Sequence, residues 1–176
     1  GCVTGELTHL LHLHLQAQET VGIDNSDAML ARSVEFAGGS LRFEKGDIGL
    51  LGDGTRYDLV FSNAALHWVD GHEELLSRLT GVLADGGQIA VQVPANHDHP
   101  SHVVATEVAR EQPFRDALGG WVRSSPVLPP EEYARLLYRL GYREQHVRLQ
   151  VYGHVLVARD DVVDWVRGTM LTAYQA

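Results

Sequence analysis

The chain has a single cysteine, Cys2, among 176 residues, so no disulfide can close within it, and this usage fits a reducing compartment. Positive charge is also scarce. Fourteen Lys and Arg face 23 Asp and Glu, for a net charge of -9, which argues against an electrostatic grip on nucleic acid. No apolar run approaches the roughly 18–20 residues that span a bilayer. No secretory leader is visible at the start. The expectation is therefore a cytoplasmic protein with neither nucleic acid nor membrane as partner. The sequence has no internal repeat, low-complexity tract or linker. An initial Met is absent and Gly1 already belongs to a glycine-rich turn, so a fragment or an internal start is expected.

What is present is a globular composition, 44% hydrophobic, in a length that fits one domain over 1–176. Leu7, Leu10 and Leu11 predict a helix after the turn at 1–5, and 19–23 reads as a short buried strand ending at Asp24. Ser26 is the expected N-cap of a helix over 27–36, stopped by Gly38 and Gly39. Residues 41–44 alternate as a strand, 49–56 form a loop, and 57–61 form a strand expected to be buried on both faces. A helix over 72–83 is stopped by Asp85-Gly86-Gly87, and 88–93 is the next strand. A helical stretch over 103–118 is broken by Pro113. Pro129-Pro130-Glu131-Glu132 opens a helix that Gly141 ends. Residues 143–149 alternate like an edge strand, and Trp165 is expected in the core of a last helix. Strands that alternate with helices predict an α/β fold with a parallel sheet.

The chain is organised around Asp58-Leu-Val-Phe-Ser-Asn-Ala-Ala-Leu-His-Trp68. Its apolar start breaks at Ser62 and Asn63 and closes on His67 and Trp68. Ligands of open α/β sheets bind just past the carboxyl ends of the strands, which is where these four residues are expected. Asp24 lies about twenty residues beyond the glycine turn, the spacing at which a carboxylate accepts from a ribose diol. Asp47 follows the next strand, where a carboxylate suits an exocyclic amine of a base. Each acid alone is equally what a turn or a helix cap requires. In order, they describe a nucleoside lying across the strand ends.

These segments resemble a known family. Gly1-Cys-Val-Thr-Gly-Glu-Leu-Thr8, Val21-Gly-Ile-Asp-Asn-Ser-Asp-Ala-Met-Leu30, Gly46-Asp47-Ile48 and the 58–68 block are similar to successive motifs of class I S-adenosylmethionine-dependent methyltransferases. Ser62-Asn-Ala-Ala-Leu-His-Trp68, Val91-Gln-Val-Pro-Ala-Asn96 and Asp164-Trp-Val-Arg-Gly-Thr169 resemble the branch acting on small acids of the trans-aconitate type. The resemblance implies a Rossmann-like doubly wound sheet and S-adenosyl-L-methionine as cofactor. It also implies a small carboxylic acid as substrate, a carboxylate as acceptor, and in-line transfer without a catalytic acid or base. Gly1, Cys2, Gly5, Asp24, Asn25, Met29, Asp47, Ile48, Ser62 and Asn63 would be on the cofactor side; His67, Trp68 and His97 would be on the substrate side.

Two departures from the family pattern stand out. Val3 occupies the middle position of Gly-x-Gly-x-Gly, where a β-branched residue is poorly suited to positive φ. The family's first strand and its last are missing, so the first strand's neighbours would lose ladder partners. An inactive fragment of such an enzyme is therefore one alternative. Another is a nicotinamide-dependent oxidoreductase, which would leave Asp47 and the 63–68 block unexplained. Esterification of another acid, such as an acyl-carrier-bound malonyl group, is a near neighbour. His9, His12 and His14 read as a helix face rather than metal ligands, and His97, Asp98, His99 and His102 as a polar substrate-side loop. Arg115, Trp121 and Arg123 are suited to an acidic substrate, though solvated surface is their default. Cys2 at a helix N-terminus is a setting that lowers a thiol pKa, but it lacks the paired base of a nucleophile.

Overall fold

The computed structural model describes residues 1–51, 54–168 and 170–174. Gly52 and Asp53 of the expected loop and Thr169 of the last motif lie outside the described residues. The chain divides into two compact units, Gly1–Val93 and Pro94–Ala176.

The first unit runs α1 (Glu6–Leu15), β1 (Thr20–Asp24), α2 (Asp27–Ser33), β2 (Leu41–Lys45), β3 (Tyr57–Asn63), α3 (His72–Gly81) and β4 (Leu83–Gln92). β1 and β2 pair in parallel from Thr20↔Leu41 to Asp24↔Lys45. β3 and β4 pair in parallel from Leu59↔Gln88 to Asn63↔Gln92. Among the described residues no ladder joins β1 to β3, so the strands form two pairs rather than one continuous sheet. Parallel pairing places Asp24 beside Lys45, and Asn63 beside Gln92, at carboxyl ends.

Local chemistry accounts for most boundaries. Ser26 is extended at φ -92°, and its hydroxyl accepts the Met29 N–H at 3.4 Å, capping α2. The ring of Phe43 on β2 lies over two glycines. A Cβ on Gly22 would sit 2.5 Å from Phe43 Cδ1, and one on Gly5 would sit 2.8 Å from Phe43 Cζ and from Ser33 Cβ. Gly5 also has φ +86°, so it meets a conformational and a steric requirement at once. Leu66, Leu75 and Leu79 are almost fully buried, with Leu41, Leu76 and Val82, and form the apolar centre of this unit.

Two expectations change here. α3 stops at Gly81, because Leu83 pairs with Tyr57 and enters β4. Asp85-Gly86-Gly87 then lies inside the strand where the register shifts, with Gly86 at φ +77°. A Cβ on Gly87 would meet Ala84 O at 2.9 Å, so these residues make a bulge and not a helix stop. β3 is not buried on both faces: Leu59 and Val60 are half-buried and Phe61 is 43% exposed. A strand paired on one edge only has neighbours enough to cover part of its surface. α1 buries none of its residues, so its leucines stay largely exposed.

The second unit holds α4 (Pro100–Arg110), α5 (Phe114–Ala117), α6 (Pro130–Arg139) and α7 (Asp161–Arg167) around Ala109, Val127, Leu136, Val166 and Met170. Pro113 separates α4 from α5 as expected, Pro130 opens α6, and Gly141 follows it at φ +93°. Residues 143–149 join no ladder among the described residues, and Leu149 is 61% exposed. Alternation prepares a strand, but only a partner's backbone makes one. Trp165 is not core either. It is 45% exposed on α7 and meets His154 edge-on at 3.9 Å.

Leu79→Ala should remove a fully buried side chain from α3 and cost about 3 kcal/mol of stability. Denaturant unfolding followed by circular dichroism measures this; a loss under about 1 kcal/mol would mean that α3 does not anchor the unit.

Candidate functional site

The carboxyl ends of β1, β2 and β3 carry the polar residues that the sequence singled out. Asp24, the last residue of β1, is buried. Its Oδ2 accepts the Val3 N–H at 2.9 Å and its Oδ1 accepts the Ser26 N–H at 3.0 Å. The same strand end accepts two backbone bonds, Cys2 N–H to Ile23 O at 2.9 Å and Gly46 N–H to Asp24 O at 3.0 Å. Asp24 therefore ties together the N-terminal turn, the start of α2 and the end of β2. A carboxylate offers about four lone-pair sites, so each oxygen keeps one acceptor site after these bonds.

Gly1 lies where this strand end meets the turn after β3. A Cβ there would be 3.4 Å from Asp24 Oδ2 and 3.5 Å from Ala65 Cβ. Asp47 starts a 3-10 turn, Ile48–Leu50, and its Oδ1 accepts the Gly49 N–H at 2.7 Å. It caps its own turn, yet its side chain is exposed and Oδ2 takes no hydrogen bond among the described residues. A Cβ on Gly49 would lie 3.9 Å from Val69 Cγ1, so this turn approaches the segment that follows β3. Gly1, Cys2, Asp24, Asp47, Ile48 and the 64–69 segment are thus brought to one edge of the unit.

Ser62 and Asn63 do not share a face. Strand alternation buries Ser62 at 5% exposure and leaves Asn63 exposed. The Ser62 hydroxyl has no hydrogen-bond partner among the described residues. A buried hydroxyl left without one is costly unless a ligand or water supplies it. Asn25 is exposed, and Met29 is half-buried in the first turn of α2. His67 and Trp68 sit on the 3-10 turn Leu66–Trp68 with ring centroids 4.9 Å apart. Trp68 is 54% exposed. His97 is exposed in the loop that opens the second unit.

One feature escaped the sequence. His72, buried at the start of α3, donates from Nε2 to Leu66 O at 3.0 Å and so holds the turn bearing His67 and Trp68. A histidine opening a helix carries no sequence sign of this bond. Val3 has φ +51°, the left-handed region, so the strain expected of a β-branched residue at that position is present. Cys2 is the reverse of an activated thiol: burial and the Asp24 charge both push it up.

His12 Nδ1 pairs with Thr20 Oγ1 at 2.8 Å, while His9 lies 5.6 Å from the Phe36 ring, so these histidines pack α1 onto its neighbours. In the second unit, burial and the charges of His99, Arg123 and His97 hold His102 below its ordinary value.

A methyltransferase domain profile matches residues 1–89. The trans-aconitate 2-methyltransferase of Deinococcus radiodurans is 43% identical over 99% of this chain and 68% of its own length. That of Streptomyces avermitilis is 38% identical over 97% of this chain and 65% of its own. An S-adenosylmethionine-dependent methyltransferase from Mesorhizobium loti has the same fold, with a TM-score of 0.59 at 20% identity over 84% of this chain and 74% of its own. The fold is therefore that of the class I methyltransferases, whose cofactor is S-adenosyl-L-methionine. Within that class, the chain belongs to the trans-aconitate 2-methyltransferase family. It spans about two thirds of the length of these relatives. Membership sets aside the oxidoreductase alternative.

Val3→Gly should relieve the strained turn and raise stability by about 1 kcal/mol after glycine's own entropic cost; comparative thermal melts read this. His72→Ala should remove the buried side-chain bond to the Leu66 carbonyl, which keeps only the Val69 N–H, and cost about 2 kcal/mol, measured as a shift in denaturant midpoint. For His102 the folded form disfavours the proton. Stability is full above the ordinary value of 6.5 and falls as pH drops through it, because the unfolded chain then binds more protons. Urea midpoints between pH 7.5 and 5 should show this slope, and His102→Gln should flatten it.

Proposed function

We propose that this protein transfers the methyl group of S-adenosylmethionine to a carboxylate of a small polycarboxylic acid of the trans-aconitate type. The observation that carries the reading is 43% identity, along 99% of the chain, to an enzyme named for that substrate. Both compact units are read as one methyltransferase domain, because that relative aligns with nearly the whole chain. The single cysteine and the lack of any described helix long and apolar enough to cross a membrane suit a cytoplasmic enzyme.

The residues at the strand ends fit the cofactor. Asp24 keeps an acceptor site on each oxygen for the ribose hydroxyls, and Asp47 keeps Oδ2 for the adenine amine, with Ile48 beside it. Gly1 and Cys2 bring backbone close to Asp24, and the Ser62 hydroxyl is short of a partner that a ligand can supply. Gly5 serves by letting the turn close over Phe43. Asn25, Met29 and Asn63 stand at or near the same strand ends, while His67 and Trp68 are assigned to the acid.

When bound, S-adenosylmethionine supplies a methyl group on a sulfonium, open to in-line displacement by an oxygen. The acceptor carboxylate is ionised near neutral pH, so the chain need not remove a proton. Its residues bind and orient both partners, and that placement supplies most of the rate. Asp24 and Asp47 fix the nucleoside, and His72 holds the turn that positions His67 and Trp68.

A second reading, a folded member without turnover, is favoured by the strain at Val3 and by strands that pair only in twos. Calorimetric titration with S-adenosylhomocysteine, followed by methyl transfer to trans-aconitate, separates the two. The first reading expects saturable binding and a methyl ester product, with Asp24→Asn weakening cofactor binding about tenfold. A cooperative melt without binding would replace it with the second.

A further inference from the structure

The second unit carries a surface that the methyl-transfer reading leaves unused. α6 ends in a reversal. The Gly141 N–H donates to Tyr138 O at 3.1 Å and the Tyr142 N–H to Leu137 O at 3.1 Å, with Gly141 at φ +93°. These two bonds satisfy late carbonyls of the helix and turn the chain back. Gln145 Nε2 then donates to Tyr142 O at 3.3 Å, which holds the chain close after the turn. Between this returning segment and the helix lies an open groove of about 580 Å³, lined by Ala134, Arg135, Tyr138, Arg139 and Gln145. Ala134 and Tyr138 are four residues apart, as are Arg135 and Arg139, so the helix offers the groove an apolar row beside a cationic one. The buried Leu136 points away from the apolar row, and Tyr138 is 77% exposed.

The charge here is opposite to that of the chain. Residues 133–148 contain four Arg and one Glu, within a chain of net charge -9. Arg135 is paired with Glu132, and Arg139 also interacts within the chain. A guanidinium has five donors, and exposed ion pairs contribute little, so a partner's carboxylate joins or replaces these contacts at small cost. Tyr and Arg are also the residue types that most often carry the binding energy of protein interfaces. Arg135 and Arg139 stand about 6 Å apart along the helix axis. Carboxylates four residues apart on a second helix repeat that interval, and an apolar row beside them faces the groove.

We propose that this groove docks an acidic amphipathic helix of a partner protein, with two of its carboxylates on Arg135 and Arg139 and an apolar side chain against Ala134 and Tyr138. The inference is independent of the methyl-transfer reading, since no residue of the groove belongs to the cofactor or acceptor site.

Fluorescence anisotropy on the full chain tests it, with a labelled helical peptide of about 15 residues that carries Glu and Leu in adjacent rows four residues apart. The comparison probes are the same peptide with Gln for Glu, and vesicles of phosphatidylserine in phosphatidylcholine. The acidic peptide should bind saturably, and more weakly as salt is raised. The Gln peptide should bind about fivefold less tightly or worse. Tyr138→Ala should weaken binding of the acidic peptide about tenfold, and Arg135→Gln and Arg139→Gln about fivefold each. All three side chains are exposed, so the variants should still melt cooperatively. Arg139→Lys should recover part of the loss. Peptide affinity that survives Tyr138→Ala or the paired Arg135→Gln and Arg139→Gln changes would overturn the site. Equal binding of the Gln peptide, or no saturable binding of either peptide, would do the same. Vesicle binding that exceeds peptide binding and is lost in the same variants would assign the surface to anionic lipid and overturn the protein partner.

Discussion

The candidate cofactor site depends on the two oxygens of Asp24. Each accepts a backbone N–H from a different segment, Val3 in the first turn and Ser26 at the start of α2. Hydrogen bonds to a charged acceptor are roughly twice as strong as neutral ones. The Val3 bond also joins segments 21 residues apart in the chain, while the Ser26 bond is local. With the Cys2 and Gly46 amides bonded to Ile23 and Asp24, the end of β1 becomes the point where turn, helix and second strand meet. The same carboxylate then has one acceptor site left on each oxygen, so the structural clamp leaves room for the proposed ligand role in the same side chain.

That clamp compensates for a divided sheet. Among the described residues β1 and β3 each have one paired edge, and their carboxyl ends are brought near each other through Gly1, which lies against both Asp24 and Ala65. Gly1 and Gly5 owe their places to close approach, against Asp24 and Ala65 in one case and Phe43 and Ser33 in the other. Val3 lies between them with a side chain and a backbone conformation that glycine would adopt freely. The turn keeps its form against that strain because the Val3 amide is held by Asp24.

Much of the site was legible in the residues. Asp24, Asp47 and the 62–68 block stand at strand ends, where their order along the chain predicted them. The cap occupies Oδ1 of Asp47 alone, which leaves Oδ2 for the proposed nucleoside role. Less legible was the division between Ser62 and Asn63, which the sequence reading placed beyond the strand. β3 continues through both, and period-two alternation then sends them to opposite faces. His72 was illegible, because its partner is the carbonyl of Leu66 on a separate turn. The Cys2 thiol follows Asp24 and burial instead of the helix start, so its shift runs opposite to the expected direction.

The sequence by itself determined the element order of the first unit, the capping at Ser26, the break at Pro113, the family and the positions of the acidic residues. These are local properties, set by side chains within a few residues of one another or by motifs read in order. Only the tertiary structure decided which apolar surfaces are covered and which strands pair. Phe61 and Trp165 have the hydrophobicity of buried residues yet stay exposed, and residues 143–149 alternate like a strand yet join no ladder among the described residues. Burial and ladder bonds belong to two segments at once, so one segment's pattern states only a capacity. Whether it is realised depends on which other part of the chain arrives beside it.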